Sequence, residues 1–233
     1  VTSTASSSTS STAVLVPREH RGILLAYLLV AAVNLVGAAT GSTVLELVSK
    51  PLLVPLLIAW VVAVRRSAEP RLLVVGLVLA WLGDLALMAD GTVAFLVGLG
   101  FFLAMQVAYS AGFVRLGGVA VLRRRWGLVV AAAVLWVGLN LGLGPALGEL
   151  RLPILVYSAA LVIMATLACG VSAVVGAGGV LFLVSDLMIG MGAADIELPA
   201  RGFLVMATYI AAQLLIATGW LAASAQRSVR SSE

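Results

Sequence analysis

Charge is scarce in this chain. Only 10% of its 233 residues are Asp, Glu, Lys or Arg, where a soluble domain carries about 25%. Histidine and cysteine occur once each. A single cysteine excludes an intramolecular disulfide and a cysteine-based metal site, and Cys169, inside an apolar run, reads as a small packing residue. The lone His20 lies among Arg18, Glu19 and Arg21 ahead of the first apolar run, in the place of a solvated juxtamembrane residue. Histidine-based zinc chemistry is therefore excluded. Ser185 stands beside Asp186 but has no histidine to activate it, so a serine-hydrolase triad fails as well. A metal could be held only by carboxylates, and neither metal nor cofactor is expected.

What the chain has in abundance is apolar side chains: 62% of residues, with a mean hydropathy of +1.17. One ordinary core cannot hide that much apolar surface, which excludes a water-soluble monomer. A membrane-spanning helix needs roughly 20 mostly apolar residues. Eight such runs fall near 22–41, 44–64, 71–89, 93–114, 126–144, 152–171, 173–193 and 203–223, separated by proline and charge clusters at 65–71, 115–125, 145–151 and 195–201. All must be helical, because lipid offers no partner to an open strand edge. The expected fold is an all-α polytopic membrane protein with eight transmembrane helices. Residues 1–20 are expected to be a disordered, Ser/Thr-rich cytoplasmic tail, residues 21–224 the membrane domain, and residues 225–233 a cytoplasmic tail.

The formal net charge of +4 is read by location, not as a nucleic-acid signal. With eight helices, one side of the membrane holds eleven basic residues: Arg18, Arg21, Arg65, Arg66, Arg71, Arg115, Arg123, Arg124, Arg125, Arg227 and Arg230. The other holds only Lys50, Arg151 and Arg201. The positive-inside rule then places both termini in the cytoplasm, and the expected location is the plasma membrane of a bacterium. An internal echo accompanies this pattern. Residues 76–85 (GLVLAWLGDL) and 178–187 (GGVLFLVSDL) agree at five of ten positions, and the same offset pairs Pro51 with Pro153. A parallel four-plus-four duplication would account for it.

Ionisable side chains within hydrocarbon cost a few kcal/mol on insertion scales, so each is a candidate for function. Asp84 in the third run and Asp186 in the seventh lie at a shared depth, a few residues short of the outer ends. Other polar side chains fall in or near the same slab: Asn34, Lys50 opening the second run, Gln106 and Tyr109, Tyr157, and Tyr209 with Gln213 four residues on. Singly, each has a plain reading as interface belt, helix-to-helix glue or snorkelling base. Together they describe a buried polar pocket open to the outside.

These residues, in this order, resemble the YhhN-like lysoplasmalogenase family of eight-helix membrane proteins. The matching pieces are Lys50-Pro51, Gly83-Asp84, Phe95 and Gly98 with Tyr109, Pro153 with Tyr157 and Met164, Gly176-Ala177 with Phe182 and Ser185-Asp186, and Thr208-Tyr209 with Gln213. The likeness covers roughly residues 22–223. It departs at Gln106, where the family usually has a histidine, and glutamine exchanges no proton near neutral pH. The resemblance implies hydrolysis of the vinyl-ether bond of a lysoplasmalogen, with a lysophospholipid substrate met inside the bilayer. Protonating the β-carbon of a vinyl ether makes an oxocarbenium ion that water then attacks. Asp84 and Asp186 can divide the roles of acid and anion in a pocket of low dielectric. Tyr109, Tyr157, Tyr209, Ser185, Gln106 and Gln213 would bind and orient the substrate, and Lys50 would meet the lipid phosphate as a point charge. Two other readings use the same residues: a small proton-coupled transporter, with the Asp pair as relay, and a non-catalytic lipid-binding protein.

Overall fold

The computed structural model describes residues 20–64 and 70–230. The Ser/Thr tract expected as a tail, and Arg18, Arg65 and Arg66 used for orientation, lie outside those residues. The described chain is helical, with no strand: α1 (Arg21–Thr40), α2 (Thr43–Val64), α3 (Arg71–Ala86), α4 (Thr92–Arg115), α5 (Gly118–Arg124), α6 (Trp126–Leu143), two single 3-10 turns (Gly144–Ala146 and Gly148–Leu150), α7 (Arg151–Val171), α8 (Ala173–Ala193) and α9 (Arg201–Arg230).

Seven of these, all but α3 and the short α5, are long and apolar enough to cross a membrane. α3 has only 16 residues, about 24 Å at 1.5 Å per residue. One face of it, with Leu73, Leu77 and Ala80, is fully buried in the bundle, while Val75 and Val78 on the other face are exposed. Counting α3, the spans number eight. The protein is a multi-pass membrane protein.

Two boundaries differ from the sequence expectation. The basic connection at 115–125 contains a seven-residue helix, α5. Its entry is a sharp break at Gly117, whose φ of +85° suits glycine. Gly118 then lies directly against the backbone of Gly170 in α7, leaving no room for a side chain. α9 also continues through residues 225–230 as a helical extension.

The helices associate as hairpins α1–α2, α3–α4 and α8–α9. α7 packs on both α4 and α8, and α1 returns to α9. Their shared interior holds Tyr27, Trp60, Tyr109, Phe113 and Phe182, all but excluded from solvent. α6 is different. It buries none of its residues and packs chiefly along α7, at the outside of the bundle.

Two prolines set the approach of α2 to α3. A proline at position i leaves the carbonyl at i−4 without its helical donor. Pro55 therefore frees the carbonyl of Pro51, and the indole of Trp81 on α3 donates to it at 2.9 Å. Lys50 precedes the accepting residue and Asp84 stands three residues beyond the donor. This one bond holds the two charges in a fixed relation.

Candidate active site

The two intramembrane aspartates occupy different surroundings. Asp84, on α3, is buried at 4% exposure and accepts a 2.7 Å hydrogen bond from the Tyr209 hydroxyl of α9. Behind it runs a relay of side chains. Gln213 donates from Nε2 to the Tyr209 hydroxyl at 3.3 Å, and the Tyr109 hydroxyl of α4 donates to Gln213 Oε1 at 2.8 Å. Asp186, on α8, is half-buried and accepts a hydrogen bond from the Tyr157 hydroxyl of α7. Asp84 and Asp186 lie within electrostatic reach of each other, and Lys50 lies within reach of Asp84.

Packing fixes the tyrosines. The rings of Phe102, Phe182 and Tyr209 meet edge to face, with centroids 5.6 to 6.3 Å apart, a favoured arrangement of aromatic quadrupoles. Tyr109 is set against Phe113 and Trp220. Its ring also rests on Gly76 of α3, where any side chain would collide with it. Close helix approach through small residues is the usual way membrane helices gain contact. Here it also places a hydroxyl.

Asp186 and Tyr157 line an apolar cleft between α3, α4, α6, α7 and α8, whose other walls include Phe95, Leu99, Phe102 and Leu161. Asp84 does not line it. A polar edge on the α6–α7 side was not anticipated from the sequence. The Trp136 indole donates to Ser158 Oγ at 3.0 Å, and Asn140 donates to the Trp136 carbonyl and to Ser158. The only sequence signal was the spacing of Trp136 and Asn140, four apart on one face of the fifth run.

The remaining candidates divide. Gln106 is fully buried and approaches the Tyr157 hydroxyl without forming a full hydrogen bond to any described residue. Lys50 is half-buried at the rim of a shallower depression that adjoins the cleft. Ser185 donates to the Val205 carbonyl of α9 at 3.1 Å, a contact that joins α8 to α9. Asn34, read as part of the same slab, donates to Ser49 at 2.9 Å and ties α1 to α2. Among the described residues no three His, Cys, Asp or Glu side chains converge as metal ligands would.

A family model described as the YhhN family matches residues 45–220. The chain belongs to the YhhN family. The matched span includes every candidate from Lys50 to Gln213. Proteins named lysoplasmalogenase from Mycobacterium bovis and Mycobacterium tuberculosis are each 35% identical over 188 residues, 78% of this chain and 72% of the relative. No solved structure matches the chain.

Proposed function

We propose that the protein is a membrane-embedded hydrolase that cleaves the vinyl-ether bond of lysoplasmalogens, or of a closely related lysolipid ether, to a fatty aldehyde and a glycerophospho-alcohol. The observation that carries this reading is a carboxyl, Asp186, facing an apolar cleft with a second carboxyl, Asp84, in electrostatic reach behind it. The name borne by the two mycobacterial relatives supports an enzyme over a transporter or a passive lipid binder.

The reaction needs one proton and one negative charge. Asp84, facing Lys50 and held by Tyr209, is the better seat for the charge. Asp186, at the cleft wall, is the better seat for the proton. Asp186 delivers that proton to the β-carbon of the vinyl ether, and the adjacent carbon becomes part of an oxocarbenium ion. The fixed charge of Asp84 stabilises the cation across a medium of low dielectric. The Asp186 carboxylate, oriented by Tyr157, then takes a proton from the attacking water. The resulting hemiacetal collapses to aldehyde and alcohol, and Asp186 ends protonated as it began.

The hydrocarbon chain has a matching path. The cleft shares Trp136 and Val162 with an apolar groove between α6 and α7 that faces lipid. A chain lying there reaches the site without leaving the bilayer. The arginine asymmetry supports both termini in the cytoplasm of a bacterial cell, with the site nearer the outer face, and residues 1–20 and 225–233 as cytoplasmic tails.

Purified protein in detergent is expected to release aldehyde from a lysoplasmalogen. Asp186→Asn and Asp84→Asn should each lower that release by at least about a hundredfold, the scale of general acid catalysis and of buried charge stabilisation. Unchanged release in both variants would refute the two-carboxylate mechanism.

A further inference from the structure

The cleft that carries Asp186 opens toward one membrane face into the shallower depression, and the two share Leu87, Phe95 and Ile189. Two cations line the depression, Lys50 from α2 and Arg201 from the start of α9, together with one carboxylate, Glu46, a turn before Lys50 on α2. Lys50 also lies within electrostatic reach of Asp84. Arg201 is held in place by backbone. Its guanidinium lies against Gly192 near the end of α8, at a spot where a methyl group would collide with it. The turn that delivers it contains two non-glycine residues in the left-handed region, Asp195 at φ +56° and Ala200 at φ +54°. Such residues are uncommon, and they persist where the surroundings enforce them, often at functional sites. The turn brings the first residue of α9 back over the last residues of α8.

The two cavities together have the polarity of an amphiphile. Two cations and one carboxylate line the depression, the apolar cleft adjoins it, and the Asp186 carboxyl lies on the cleft wall. We propose that Lys50 and Arg201 clamp the phosphate of the lysolipid, and that Arg201 is the residue by which the site selects a phosphorylated lysolipid over an unphosphorylated one. The inference rests on the hydrolase reading above and adds its headgroup contact. Arginine suits this task because its planar fork can hold two phosphate oxygens at once, while lysine adds a point charge. A clamp in the depression adjoining the cleft would also set how deep the ether enters.

The test uses full-length protein in neutral detergent and two non-hydrolysable probes with the same chain, a 1-O-alkyl lysophosphatidylethanolamine and a 1-O-alkylglycerol. Calorimetric titration should show the phosphorylated probe binding about tenfold to a hundredfold tighter. Arg201→Ala should bring that ratio close to one, and Arg201→Lys should restore part of it. Gly192→Ala, which pushes the guanidinium aside while leaving its charge, should lower the ratio as well. The ratio of kcat/KM between alkenyl lysophospholipid and alkenylglycerol should follow the same order. If Arg201→Ala weakens both probes equally, Arg201 is structural and the proposal is overturned. If a diacyl phospholipid or inorganic phosphate binds with the same dependence on Arg201, the depression is a general phosphate site and the claimed selectivity fails. Loss of discrimination on Arg201→Ala, in a protein that releases no aldehyde, would uphold the clamp and overturn the hydrolase reading instead.

Discussion

Tyr209 connects the two halves of the polar relay, donating to Asp84 and accepting from Gln213. Removing its hydroxyl strands both partners in a buried setting, at a cost of about 1–3 kcal/mol for each unsatisfied group. Tyr209→Phe should therefore lower the thermal midpoint. It should also cut kcat by about tenfold to a hundredfold with little change in KM, because the lost bond orients the charge that stabilises the transition state. A change confined to KM would mean that Tyr209 contacts substrate instead. At this scale the sequence was most informative where an ionisable group broke an apolar run, as Asp84 and Asp186 do. Residues with two common uses were ambiguous. Ser185 reads equally as a site residue or as helix-to-helix glue, and its hydroxyl bonds the α9 backbone. Trp136, Asn140 and Ser158 pass for ordinary membrane-helix residues until the fold brings them to one cleft. Arg201 reads as a loop charge until Gly192 gives it a seat.

Among the helices, α2 shows how a local defect becomes a tertiary contact. The carbonyl freed by Pro55 is taken by Trp81, so the two substitutions should not be independent. Trp81→Phe should destabilise the protein by about 1–3 kcal/mol through the stranded carbonyl. In a Pro55→Ala background the amide at position 55 can reclaim that carbonyl, and Trp81→Phe should cost less, with a coupling of about 1 kcal/mol. Strict additivity in thermal or denaturant unfolding would refute this account. Hydropathy alone located the spans within a few residues, since lipid demands unbroken helix wherever the chain crosses. It did not locate α5, because seven residues bearing Arg123 and Arg124 carry no apolar run to detect. Nor did it extend the last helix to Arg230. A helix that leaves the hydrocarbon continues on the propensity of residues such as Ala, Gln and Arg, which hydropathy does not register.

The molecule as a whole is a tight bundle with one loosely held helix, and two predictions belong to that scale. Ala132 lines the groove between α6 and α7. Ala132→Phe should narrow the path, lowering kcat/KM severalfold for long-chain substrates while sparing short-chain ones; equal effects on both would place the chain elsewhere. Orientation can be checked with an impermeant thiol reagent in intact cells. It should label Glu149→Cys, in the turn before α7, and leave Ser228→Cys unlabelled. The count of basic residues gives the orientation to be tested, whereas the looseness of α6 is not readable from sequence, because its apolar content matches that of its neighbours. What distinguishes it is that none of its residues is buried.

That exposed helix has a kinetic meaning. A site entered between α6 and α7 is supplied from within the leaflet, so the concentration it experiences is a two-dimensional mole fraction among neighbouring lipids. Inert lipid or detergent would then act as a diluent at constant total substrate. The composition of the surrounding membrane would set the reaction rate even where it touches no residue of the site.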